Sequence, residues 1–179
     1  MSVEIRIGDA AALAAGLAPG SVDCVVTSPP YFGLRDYGMA GQIGREATPA
    51  AFVERLAGVF EAMRPALAAD ATVWVNLGDS YARSCGPQGG FGDMAGRKVA
   101  AARASGGTGR DRLPAGFGEK QLLGMPWRFA FAMQDAGWIL RQEIIWSKPN
   151  PMPESVRDRC TKSHESLFLF AKSPQYYYD

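Results

Sequence analysis

Residues 27–33 read TSPPYFG and follow directly on the apolar run VDCVV. Proline fixes φ and lacks an N–H, and the residue before a proline is held extended, so Ser28-Pro29-Pro30 forms a stiff, non-helical ledge. Its carbonyls cannot enter a following helix and stay available as acceptors. Tyr31 and Phe32 present aromatic faces beside them. Rigid acceptors next to a stacking face suit a planar group that carries an amine. In open α/β sheets ligands bind beyond the carboxyl ends of the strands, which is where this ledge would sit.

Other residues invite chemistry with less support. Asp9 and Asp79 each follow a glycine at a strand end, where a helix cap or turn former is as good an account as a ligand. The stretch GGFGD resembles a phosphate loop, but no apolar strand leads into it and no Gly-Lys-Ser/Thr follows. Arg97, Lys98, Arg103, Arg110 and Arg112 suit either phosphate contacts or plain solvation of a loop. Arg157, Arg159 and Lys162 follow the rigid KPNPMP segment and are better placed to meet a polyanion. His164, the single histidine, suits a structural role, and Trp74, Trp127, Trp138 and Trp146 fall in strand or helix patterns where core packing is expected.

A chain of 179 residues with 47% hydrophobic and 21% charged residues can bury the core of one domain. Its net charge of +1 points to no class of partner, so any polyanion site must be a local patch. Cys24, Cys85 and Cys160 are odd in number and lack ligand spacing, which argues against a disulfide framework and a structural zinc and predicts a reduced, cytoplasmic setting. No basic leader with a long apolar stretch opens the chain and no eighteen apolar residues run together, so neither secretion nor a membrane span is expected.

The elements that must position the ledge follow from periodicity. VEIRI alternates as a strand does, Asp9 can cap the Ala/Leu-rich helix after it, and SVDCVVTS is continuously apolar at its centre, like a strand covered on both faces. Thr48-Pro49 opens a helix carrying Phe52, Leu56, Val59, Phe60 and Met63 at helical spacing, closed near Pro65. ATVWVNLGDSY is the next strand. Strands alternating with helices predict an α/β fold with a mainly parallel sheet. Residues 82–120 lose all periodicity and predict a flexible loop. A helix then opens at Pro126 and closes at Gly137, and the strands WILRQEIIWSK and ESLFLFAKS permit an antiparallel hairpin at the sheet edge.

SPPY after an apolar strand resembles the catalytic motif of the DNA amino-methyltransferases, which methylate the exocyclic nitrogen of cytosine or adenine. The resemblance continues through GDAAALAAGLAPGSVDCVVTSPPYFGLRDYG, TVWVNLGDSY, LLGMPWRFAFAMQDAGW, IIWSKPNPMPESVRDRCTKSHE and FLFAKSPQYYYD, nearly the whole chain. It implies a Rossmann-like fold, S-adenosylmethionine as cofactor and double-stranded DNA as partner, with the target base flipped out of the duplex. Carried over residue by residue, Tyr31 would stack on the base, and the Ser28 hydroxyl and the Pro29 carbonyl would accept from its amine. Pro30 completes the motif, and Asp9 would lie beside the cofactor. Arg157, Arg159 and Lys162 would face DNA, and a companion restriction endonuclease is a possible partner. The implied reaction is one in-line displacement with no covalent enzyme intermediate.

Serine at the first motif position favours cytosine N4 over adenine N6, because adenine enzymes of the family usually carry Asp or Asn there. Methylation at cytosine C5 is disfavoured, since no cysteine of the chain follows a proline. The family's cofactor motif, a strand leading into Phe-x-Gly-x-Gly, is not in this chain. One circularly permuted class puts that motif after the catalytic one, so the chain is expected to be the N-terminal portion of such an enzyme's single catalytic domain. Two further readings compete: a methyltransferase for a protein or RNA amine, and a nucleic-acid-binding fragment without catalysis.

Overall fold

In the computed structural model, residues 3–82 and 114–179 are described. The elements are helix α1 (Ala10–Ala15), strand β1 (Val22–Thr27), helix α2 (Pro49–Met63) running through a 3-10 turn (Arg64–Ala66) into β2 (Leu67–Leu77), helix α3 (Met125–Asp135), β3 (Ile139–Ser147) and β4 (His164–Ala171). The expected loop over 82–120 falls mostly outside the described residues, as do GGFGD and the cations from Arg97 to Arg112. The two ends beside it are joined: the Ala82 N–H donates to the Gln121 carbonyl at 2.7 Å, and the Leu123 N–H to that of Ser80 at 2.9 Å.

Local signals act as their chemistry requires. Asp9 caps α1 by accepting from the Ala12 N–H at 3.0 Å, and Thr48 caps α2 by accepting from Ala51 at 3.1 Å with Pro49 in the first turn. Gly137, at φ +84°, ends α3 in a left-handed conformation that costs other residues more.

The sheet is ordered β1-β2-β4-β3. β1 and β2 run parallel, while β4 is antiparallel to both β2 and β3. The α/β class and the antiparallel edge hairpin are as expected. Within the described strands, however, the parallel part is the β1–β2 ladder alone. The expected first strand explains the difference: residues 3–7 are not in a strand, and Val3, Ile5 and Ile7 are 84–95% exposed. An alternating pattern supplies a strand's side chains but not its ladder partner, and none of the described strands takes that place.

One sheet face carries the core. Phe52, Leu56 and Phe60 of α2 and Phe129 and Met133 of α3 pack on Val73, Val75, Leu77, Phe168 and Phe170. Phe60 and Phe129 lie 5.5 Å apart and Phe129 meets Phe170 edge-on at 6.0 Å, geometries that aromatic quadrupoles favour. The other face holds Val26, Trp74, Asn76 and Leu167 and is open enough to leave Val26 76% exposed. No described helix is long and apolar enough to cross a membrane.

Candidate active site

The ledge leaves β1 at Thr27 and is fixed at its far end by Phe32. That ring is buried against Phe52, with centroids 5.5 Å apart, and the Phe32 carbonyl accepts from the Ser80 hydroxyl at 2.9 Å. Gly33 donates to the Gly44 carbonyl at 2.8 Å. Gly44 has φ +98°, and a Cβ there would stand 2.9 Å from the Tyr31 carbonyl oxygen, so both conformation and space require glycine. Pro29 and Pro30 are half-buried between these fixed ends. Two adjacent aromatics thus divide the work, with Phe32 anchored in the core and Tyr31 turned to the sheet's open end.

Tyr31 meets a polar cluster drawn from three strand ends. Its hydroxyl donates to Glu165 Oε2 at 2.9 Å and accepts from Asn76 Nδ2 at 3.0 Å. Asn76 Nδ2 also donates to Glu165 Oε2 at 2.8 Å, and Lys148 closes the cluster with an ion pair to Glu165 Oε1. Ser28 Oγ stands 3.5 Å from the Tyr31 hydroxyl, at the outer limit for a hydrogen bond. Burial pushes the Glu165 carboxyl up, but hydrogen bonds from Lys148, Asn76 and Tyr31 outweigh it, and its pKa lies below the usual value. Burial raises the Tyr31 phenol, and neighbouring Glu165 adds to the rise against the opposing pull of the Ser28 hydroxyl, so it remains a neutral donor. Gly78 admits the ring: a Cβ there would fall 2.5 Å from Tyr31 Cε2.

Beside Ser28 the open sheet face forms a cleft of about 370 Å³, lined by Val26, Thr27, Ser28, Trp74, Asn76, Trp146 and Leu167. Its walls include two indoles and its polar groups include acceptors. Asn76 Oδ1 is buried with no partner among the described residues. A lining without cations suits a flat heterocycle with an amine, and equally a sulfonium, which aromatic faces attract.

A family of proteins described as DNA methylases, comprising N6 and N4 methyltransferases, matches residues 22–179. The chain belongs to that DNA methylase family. It is 50% identical over 172 residues to the Type II methyltransferase M.XycI of Xanthomonas campestris pv. cyanopsidis, covering 96% of this chain and 55% of the relative. To M.SmaI of Serratia marcescens it is 47% identical, covering 99% and 59%. The chain therefore spans little more than half the length of these curated relatives. Two solved structures share its fold: the cytosine-N4-specific PvuII DNA methyltransferase (TM-score 0.62, 18% identity, 95% of this chain and 49% of that one) and a putative DNA modification methylase from Thermus thermophilus complexed with S-adenosyl-L-methionine (TM-score 0.61, 20% identity, 97% and 54%).

Against this DNA methylase frame the other expected site residues separate. Asp9 is exposed and holds the start of α1. Asp79 accepts from the N–H groups of Ser80 (2.8 Å) and Met125 (2.9 Å), so it acts as turn former and helix cap. Arg157 is exposed. Arg159 instead pairs with Glu154 at 2.6 Å and lies over the Tyr81 ring at 4.0 Å. Lys162 is half-buried, and burial lowers its ammonium against the opposing pull of Asp79, Glu165 and Glu154. Trp138 is buried as expected, but Trp127 and Trp146 are 41% and 56% exposed and Trp74 lines the cleft.

Asn76, Gly78, Lys148 and Glu165 were not among the expected site residues. Two of them had a sequence signal: Asn76 is an amide inside the apolar run TVWVNL, and Gly78 sits at a strand end, where close approach calls for it.

Proposed function

We propose that this chain is the catalytic-motif portion of a site-specific DNA methyltransferase that transfers a methyl group from S-adenosylmethionine to the exocyclic N4 of a flipped cytosine. The observation that carries the proposal is Ser28 at the end of β1, beside Tyr31 and a cleft lined by Thr27, Asn76 and two indoles, in a chain half identical to a Type II methyltransferase. Ser28 rather than Asp or Asn favours cytosine over adenine, and the fold is one that a cytosine-N4-specific enzyme also uses.

The cofactor supplies a methyl carbon on a positively charged sulfur, and no other activation of the donor is needed. Ser28 Oγ and the Pro29 carbonyl hold the two amine hydrogens, which aims the nitrogen lone pair away from the ledge. Tyr31 stacks on the ring, and Pro29 and Pro30 keep these groups from moving. A net hydrogen bond contributes roughly 1 kcal/mol, whereas holding two reactants in attack geometry contributes about 7–11 kcal/mol. Positioning therefore dominates: as the new N–C bond forms, the S–C bond to the sulfonium would break and leave a neutral thioether, and the methylated nitrogen would lose one amine hydrogen as a proton to solvent past the acceptors Ser28 Oγ and the Pro29 carbonyl. The acceptors and indoles of the cleft fit a sulfonium on this side, with Asp9 as the further candidate contact to the cofactor.

Exposed Arg157 is the residue best suited to a DNA phosphate, while Arg159 and Lys162 support the segment around it through Glu154. Type II relatives make a companion restriction endonuclease that reads the same site the expected partner in the cell. The test is mass analysis of nucleosides from duplex DNA treated with the complete enzyme and labelled S-adenosylmethionine. N4-methylcytosine is expected. N6-methyladenine alone would overturn the choice of base, and label in protein or RNA but not in DNA would overturn the substrate class.

A further inference from the structure

Ser28, Pro29 and Tyr31 account for holding the base but leave a partly buried carboxylate, Glu165, and its two supports, Asn76 and Lys148, without a role. We propose that Glu165 is a positioning residue that sets the hydrogen-bond polarity of the ledge, committing the Tyr31 proton away from Ser28 so that Ser28 Oγ is presented to the substrate amine as an acceptor. This inference rests on the base-holding function proposed for the ledge.

The polarity follows from donor and acceptor capacity. An ionised carboxylate only accepts. The single hydroxyl hydrogen of Tyr31 therefore points at Glu165 Oε2, 2.9 Å away, and its oxygen can only receive from its other neighbours. Asn76 must turn Nδ2 toward both, at 3.0 Å from Tyr31 and 2.8 Å from Glu165, which leaves Oδ1 pointing elsewhere. Across the remaining 3.5 Å contact, Ser28 can only donate to Tyr31. With its one hydrogen so directed, Ser28 keeps both lone pairs for the cleft, which is what an amine donor needs. Lys148 holds Glu165 from the other side, an ion pair that favours its charged form.

A second consequence concerns the ring. Tyr31 is gripped at the hydroxyl by Asn76 and Glu165 and along its edge by Gly78, so its plane is set before a base arrives. Preorganisation of this kind appears in the chemical step more than in DNA affinity.

The test uses the complete enzyme, with single-turnover rates, KM for DNA, thermal midpoints and the fluorescence of 2-aminopurine placed at the target position. Glu165→Gln keeps the shape but offers an amide that can donate, and Tyr31→Phe keeps the stacking ring but removes the hydroxyl. Each is expected to lower the methyl-transfer rate roughly ten- to a hundredfold, the effect of one charge-assisted hydrogen bond. KM and the flipped-base fluorescence should stay near wild type, and the double variant should be no slower than the slower single one. Losses that multiply in the double variant, or a wild-type rate in Tyr31→Phe, would overturn the proposal even if Glu165→Gln failed to fold. Tyr31→Ala separates the two levels: a wild-type rate there removes the base-holding ledge itself, whereas an inactive Tyr31→Ala beside a fully active Glu165→Gln removes only the role of Glu165.

Discussion

At the scale of single residues, the proposed base-holding ring of Tyr31 is set by a glycine and a carboxylate to which no chemical step is assigned. A methyl at Gly78 would meet Tyr31 at 2.5 and 2.8 Å, and the ring cannot swing aside without breaking its bonds to Glu165 and Asn76. Gly78→Ala should therefore slow methyl transfer at least tenfold, by about the free energy of one such hydrogen bond, and lower the thermal midpoint. In a Tyr31→Ala background the same Gly78→Ala change should no longer lower the midpoint, while the rate stays low, which calorimetry and single-turnover kinetics would check. Glu165 makes a pH prediction. Its folded pKa is depressed below 4.5, so its stabilising contribution is present above the unfolded value and is lost as pH falls through the folded one. The stability gap between wild type and Glu165→Gln, measured by urea unfolding, should be constant near neutrality and close in acid below about pH 4. The ledge residues were legible in the sequence because proline stiffness and aromatic faces are local properties. Glu165 was not, since its partner Tyr31 lies 134 residues away.

At the scale of elements, the ledge acts as a bridge between β1 and the turn after β2. Phe32 anchors it in the core, and Ser80 holds the Phe32 carbonyl from that turn. Ser80→Ala should cost only about 1 kcal/mol of stability, yet lower the transfer rate by more than that destabilisation would, because the ledge loses its second support. Phe32→Ala should cost about 3–5 kcal/mol, and urea titration would distinguish the two. Helix caps and the strands β1, β2, β3 and β4 were readable because caps and periodicity act within a few residues. Residues 3–7 depart from their pattern for the complementary reason: Val3, Ile5 and Ile7 alternate as in a strand, but a strand exists only with a neighbour.

At the scale of the whole molecule, one cation of the segment proposed to face DNA, Arg157, is exposed while another, Arg159, is engaged internally. Arg157→Ala should weaken DNA binding by the complete enzyme and reduce its salt slope by about one, with unchanged stability. Arg159→Ala should instead lower the thermal midpoint, because it abandons Glu154 and the Tyr81 face, and an unchanged midpoint would count against that role. Exposed Val3, Ile5, Ile7 and Val26 make the 179-residue chain prone to self-association when produced alone, measurable by light scattering and reduced by Ile5→Lys. By itself the sequence determined the α/β class, the family and the TSPPYFG ledge, because turn chemistry, periodicity and a set of ordered motifs are written in neighbouring residues. Only the tertiary structure decided that Tyr31 is gripped by Asn76 and Glu165, that Gly78 makes room for it, and that Arg159 turns inward. The contacts of Tyr31 with Asn76, Glu165 and Gly78 join residues far apart in the chain, and their geometry exists only once β1, β2 and β4 stand side by side.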